Sequence, residues 1–188
     1  MSNLYLGLVH GPVLNKRGAE VTTSVTNLDI HDIARTSRTF GFKNYFIITP
    51  IKAQHELLNR ILTHWDTDEA NDYNPDRKDA LSFIQLVDSV ELGIAAIEKL
   101  EGQKPKVAVT GANFKTFDGT AKELKNQLKI DNKPLFLLFG TGWGLTASII
   151  NLADFRLEPI YGNNSDGYNH LSVRSAVAIY CDRLHRSL

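Results

Sequence analysis

Six short apolar runs punctuate the chain. Residues 4–9, 45–49, 83–87, 107–110, 135–139 and 155–160 are rich in β-branched or aromatic side chains, and most are bounded by Gly, Pro or Asn. That pattern predicts buried strands. Between them, apolar residues recur at helical spacing over 29–41, 53–65, 89–101, 120–129, 143–153 and 170–186. The first of these segments aligns Ile30, Ile33, Ser37 and Phe40 on one face. The second aligns Leu57, Leu58, Ile61 and Leu62, and the last aligns Val173, Val177, Tyr180, Cys181 and Leu184. Such stripes mark helices that pack against a core. Strands alternating with helices predict the α/β class, with a mostly parallel sheet flanked by helices on both faces. Two connections break the rhythm. Residues 66–79 are polar and aperiodic and read as a solvated loop, and residues 11–26 form a second long excursion. Long connections in a compact domain are often functional. No repeat or low-complexity stretch divides residues 1–188, which read as one domain.

Composition narrows the function classes. The 21 basic residues balance the 21 acidic ones. A net charge of zero argues against coating nucleic acid by charge alone, since non-specific binding rests on neutralising phosphates. A local basic patch stays open. The single cysteine, Cys181, allows neither an internal disulfide nor a cysteine-based zinc cluster and reads as a packed thiol. The six histidines show no metal-ligand spacing. The N-terminal run lacks the basic flank and long apolar core of a signal peptide, and no stretch is long enough to span a membrane. A cytoplasmic protein is expected.

Ligands of open α/β sheets bind beyond the carboxyl ends of the strands. Three such ends carry unusual residues: Thr110-Gly111-Ala112-Asn113, Gly140-Thr141-Gly142-Trp143-Gly144-Leu145, and the polar stretch from Tyr161 to His170. The second matches neither the dinucleotide fingerprint nor the P-loop, which needs a lysine after its last glycine. The third has ten residues, nearly all polar or glycine, and runs straight into a helical pattern.

Together these segments resemble the SPOUT methyltransferases. Residues 169–176, NHLSVRSA, are similar to that family's third motif, and Pro134 to Leu145 to its second, although the glutamate common in that loop is missing. Residues 29–42, DIHDIARTSRTFGF, resemble the first motif, N-x-G-A-I-x-R-T-x-x-x-F-G. Ile33, Arg35, Thr36, Phe40 and Gly41 match it, while Asp29 and His31 replace the usual Asn and Gly. The likeness is strongest to a bacterial branch related to the tRNA guanine-N1 methyltransferase group. It implies a C-terminal trefoil knot, a homodimer, S-adenosylmethionine as methyl donor, and RNA rather than DNA as substrate, either tRNA or rRNA.

By the same resemblance, Thr110, Gly111, Gly140, Gly142, Ile160, Asn169, Leu171 and Ser172 line the donor pocket. Arg35 occupies the position of an arginine that activates the substrate or grips its phosphate. Phosphate anchoring is the easier chemistry for a group that stays protonated. His31, Arg35 and Arg38 share a helical face at i, i+4 and i+7 and, with Lys16 and Arg17, form a candidate RNA patch. Methyl transfer to a ring nitrogen or hydroxyl needs a proton acceptor. Asp166 is the first candidate, with Asp29, His31 and Asp32 as others.

Each residue also has a structural reading. Asp166 fits a turn cap, Asn169 an N-cap of the final helix, Asp29 an N-cap of the first, and Asp32–Arg35 an i, i+3 ion pair. The glycines fit turn requirements. Trp143 reads first as a core or interface anchor and second as a stacking surface. Two rival functions stand beside methyl transfer: a nucleotide- or flavin-binding protein on an unknotted doubly wound sheet, and a non-catalytic RNA- or protein-binding module on the same fold.

Overall fold

A computed structural model describes residues 2–67 and 72–186. In chain order the strands are β1 (Leu4–Val9), β2 (Val13–Leu14), β3 (Glu20–Val21), β4 (Asn44–Ile48), β5 (Ile84–Val87), β6 (Lys106–Val109), β7 (Leu135–Gly140) and β8 (Phe155–Arg156). The helices are α1 (Asn27–Thr39), α2 (Lys52–Trp65), α3 (Pro75–Ser82), α4 (Val90–Glu101), α5 (Ala121–Asp131), α6 (Ala147–Ile150) and α7 (Val173–Arg186). Six strands form one sheet in the order β5-β4-β1-β7-β6-β8, and every pairing in it is parallel. The predicted α/β class holds.

Side chains alternate along the pleat, so each strand feeds two cores. Leu6, Leu8, Tyr45, Ile47, Leu137 and Phe139 point to the layer containing Ile30, Ile33, Leu124, Val177 and Tyr180, from α1, α5 and α7. Tyr5, Val9, Phe46, Ile48, Phe136 and Leu138 join Val90, Ile94 and Ile97 of α4 and Ile149 of α6 on the other side. Burying both faces explains why the strands read as continuous apolar runs.

The helix stripes are mostly as expected. Val177, Tyr180, Cys181 and Leu184 of α7 are buried, with Val173 partly so. In α2 only Leu58 is fully buried, and Leu57 is exposed because the stripe narrows at the helix edge. Four segments depart most from the sequence reading. The stretch 66–79 is not all loop. Asn74 caps α3 by accepting from the Arg77 amide at 3.0 Å, and Pro75 opens the helix; residues 68–71 of that stretch lie outside the described residues. The helix expected over 143–153 shrinks to α6, because Gly142 and Gly144 adopt positive φ and residues 143–145 pair with β2 instead. The strand expected over 155–160 ends at Arg156, with Pro159 soon after. The final helix starts at Val173 rather than 170.

The 11–26 excursion is ordered. Its β2–β3 hairpin turns through Asn15, whose side chain accepts from the Arg17 and Ala19 amides at 2.8 and 3.1 Å. The hairpin then extends across the sheet end. Leu14 N–H donates to Gly144 O at 2.9 Å, and Trp143 N–H donates to Leu14 O at 2.8 Å.

Candidate active site

Parallel strands deliver their following loops to one end of the sheet, and β7, β6 and β8 are neighbours. The loops 110–113, 140–145 and 157–172 therefore converge there. The glycine loop after β7 is shaped by close approach. A Cβ on Gly140 would lie 2.8 Å from Leu145 N, and one on Gly142, at φ +58, would lie 2.8 Å from Leu14 O. Neither backbone contact can give way to a side chain, so only glycine fits both. The Thr110 hydroxyl donates to Leu138 O at 3.1 Å and is buried, which anchors the start of the first loop to the sheet.

The long third loop is closed at its base by one side chain. Asn169 donates to Ile160 O at 2.9 Å and accepts from Gly162 N–H at 3.0 Å. This corrects the helix-cap reading of Asn169. The cap belongs to Ser172, whose hydroxyl oxygen accepts from the Ser175 amide at 3.2 Å. Asp166 accepts from the Tyr168 amide at 2.8 Å within the loop, as its turn reading expected. Leu171 is exposed and Ile160 is partly buried against the core, so they offer apolar surface beside these polar groups. Trp143 is 57% exposed, which overturns the core half of its reading as a core or interface anchor.

The first-motif helix carries paired charges. Arg35 donates to Asp32 at 2.6 Å and to His31 O at 3.3 Å. Arg38 donates to Asp79 at 2.6 Å and lies over the Phe83 ring. His31 meets the edge of Trp65. Burial pushes its pKa below the usual value, and Arg77 and Arg35 add to this. Lys16 and Arg17 are exposed on the β2–β3 turn, a separate element from this face. The helix begins at Thr26, which accepts from the Asp29 amide at 3.2 Å and donates to the Asp29 carboxylate at 2.6 Å. Thr26, not Asp29, is thus the N-cap.

Two buried polar groups have partners that the sequence does not reveal. His10 ends the β1 run at 1% exposure, where an apolar strand gives way to a loop. Its Nδ1 sits 3.0 Å from Thr23 Oγ1, which is 2.6 Å from Thr141 Oγ1, and Thr141 donates to Val9 O at 3.0 Å. Burial lowers the His10 pKa from 6.5 to about 4, although Asp29 opposes the shift. The other group is Asp29 itself, which accepts from Arg174 of α7 at 3.2 Å. Nothing in the sequence spacing links that pair, which stands 145 residues apart.

This geometry defines a class: a parallel α/β protein in which the loops after β6, β7 and β8 leave the same end of the sheet. Comparison then supplies the family. A family model described as "SAM-dependent RNA methyltransferase" matches residues 3–186, and the chain belongs to that family, of SPOUT type. A tRNA (guanine-N(1)-)-methyltransferase of Oleidesulfovibrio alaskensis is 45% identical over 185 residues, which cover 97% of this chain and 42% of that one. The chain thus spans less than half the length of that relative. Among solved structures, a probable methyltransferase from Bordetella pertussis superposes with a TM-score of 0.65 at 16% identity, covering 99% of this chain and 96% of the other. The SpoU methyltransferase AviRb of Streptomyces viridochromogenes, solved with AdoMet, gives 0.57 at 15% identity, covering 98% and 57%. These two likenesses bear on the fold alone.

Proposed function

We propose that this chain transfers a methyl group from S-adenosylmethionine to a tRNA nucleotide, as a cytoplasmic homodimer acting as one domain over residues 1–188. The observation that carries the reading is the convergence of three motif-bearing loops at one sheet end in a chain that matches the family almost throughout. The donor is assigned to these three loops. In this reading Thr110, Gly111, Gly140 and Gly142 line the donor with backbone, Asn169 and Ser172 fix the third loop, and Ile160 and Leu171 supply apolar contact for a flat base. When bound, the donor supplies an already activated methyl group, so the protein's task is alignment.

Arg35 anchors an RNA phosphate by charge-assisted hydrogen bonds. His31 and Arg38 share its helix face, and Lys16 and Arg17 add RNA contacts from the separate β2–β3 turn. Asp166 takes the proton released from the substrate; it keeps its place through the Tyr168 amide. The knot is also part of this reading. After edge strand β8 the chain runs through 157–172, and α7 then packs on α1, α5 and β7, back over the middle of the sheet. Threading past 140–145 would take the chain along that course.

The test is calorimetry with S-adenosylhomocysteine, then methyl transfer from labelled donor to total RNA of a strain lacking the gene. Binding and transfer are expected, with Arg35→Ala abolishing transfer and sparing donor binding. RNA binding without donor affinity would instead favour a non-catalytic module.

A further inference from the structure

Four charges at the α1–α7 contact form a continuous chain. The Asp29 side chain is 7% exposed; one oxygen takes the Thr26 hydroxyl and the other the Arg174 guanidinium at 3.2 Å. Through Nε the same guanidinium reaches Asp32 at 3.6 Å, and Asp32 holds Arg35 at 2.6 Å. The signs alternate along Asp29, Arg174, Asp32 and Arg35. One end is buried, and the other is Arg35, 53% exposed.

Arg174 follows Ser172 by two residues, so it stands where the 157–172 loop becomes α7. The chain of charges therefore joins the end of the donor loop to the arginine of the first motif. One of its members stands where this sequence departs from the commoner pattern. Asp29 replaces the first-motif asparagine, and its partner lies in the third-motif stretch. A buried carboxylate needs a fixed cation. A guanidinium can serve two carboxylates at once because its donors are held in one rigid plane, which an ammonium cannot match. Left alone, the exposed Asp32–Arg35 pair and the exposed 3.3 Å bond from Arg35 Nε to His31 O would do little to order a long side chain.

We propose that Arg174 is a positioning residue for methyl transfer: anchored on Asp29, it holds Asp32 and thereby sets the Arg35 guanidinium in register with the end of the donor loop. This rests on the assignment of Arg35 and of 157–172 made above.

The experiment compares Arg174→Gln, Arg174→Lys and the double variant Asp29→Asn/Arg174→Gln. The direct readout is the ¹⁵N signal and heteronuclear NOE of Arg35 Nε. In Arg174→Gln that NOE should fall clearly below the wild-type value, since Nε keeps only its exposed bond to His31 O, and transfer kcat should drop about tenfold or more, as small misplacements do. The Kd for S-adenosylhomocysteine should stay within about threefold, separating positioning from donor binding. Arg174→Lys should restore Tm but only part of the Arg35 order. The double variant removes the stranded buried charge, so it should regain Tm while Arg35 stays mobile. An unchanged Arg35 signal in Arg174→Gln overturns the proposal. So does Arg35 order that returns together with Tm in the double variant, which would make the pair merely structural. A wild-type chain that transfers no methyl group would count against the proposed function, and the Arg35 signal would still decide this inference.

Discussion

Acidification should destabilise the fold through His10, and the size of the effect follows from its surroundings. The ring is buried at the end of β1, and its Nδ1 is committed to Thr23. If Thr141 gives its proton to Val9 O and Thr23 gives its own to Thr141, Thr23 accepts from His10 Nδ1–H, and every proton in the relay is used. Nε2 then faces the interior as a bare acceptor with no hydrogen-bond partner among the described residues. A second proton has no acceptor there, and burial holds the pKa at about 4 instead of 6.5. The unfolded chain therefore binds the proton first as pH falls. Stability is complete above about pH 6.5 and is lost as pH drops towards 4. The full gap is worth about 3 kcal/mol, of which roughly 2 is gone by about pH 5. Urea denaturation at neutral pH and near pH 5 measures it, with His10→Asn as control. Asparagine can still donate to Thr23 but does not titrate. Other groups, including His31, act equally in both proteins, so the difference in pH dependence isolates His10. Equal pH dependence in the two proteins would refute the reasoning.

Other expectations are simpler. Gly142→Ala puts a methyl group against Leu14 O and strains a positive φ, so the 140–145 loop should leave the β2 edge; S-adenosylhomocysteine affinity should fall about tenfold or more for a loss of roughly 1–3 kcal/mol, read by calorimetry. Asn169→Ala removes both hydrogen bonds that close the third loop. Limited proteolysis should then cut within 162–168 faster, while Tm shifts little because these bonds are exposed and worth about 1 kcal/mol each at most. Cys181 is buried, and its thiol is pushed up to about 12. Ellman's reagent should not touch it in the native protein and should titrate it fully in denaturant.

The sheet was legible because strands buried on both faces leave continuous apolar runs, and the helices because their stripes are wide. The errors came where tertiary contacts overrode local pattern. Residues 143–153 carry helical periodicity, but pairing of 143–145 with β2 claims the first turn. The α3 helix was hidden because its start is an Asn-Pro cap inside a polar stretch, with little apolar stripe to betray it. In the site, the loops were found from their glycines and polar runs. The cap passes from Asn169 to Ser172 because the helix starts three residues later. His10 and Arg174 were invisible as partners, since nothing in sequence spacing links residue 10 to 141 or residue 29 to 174.

The hairpin stitched to the glycine loop has a consequence for how the cleft comes into being. Residues 11–14 and 143–145 complete each other, and β1 lies against β7 in the middle of the sheet, so two segments about 130 residues apart must meet before either loop has its shape. Most of the chain has to leave the ribosome first. Contacts this distant favour slow, all-or-none folding. An isolated half of the chain would offer no partial cleft, and a ligand held there would stabilise the molecule as a whole.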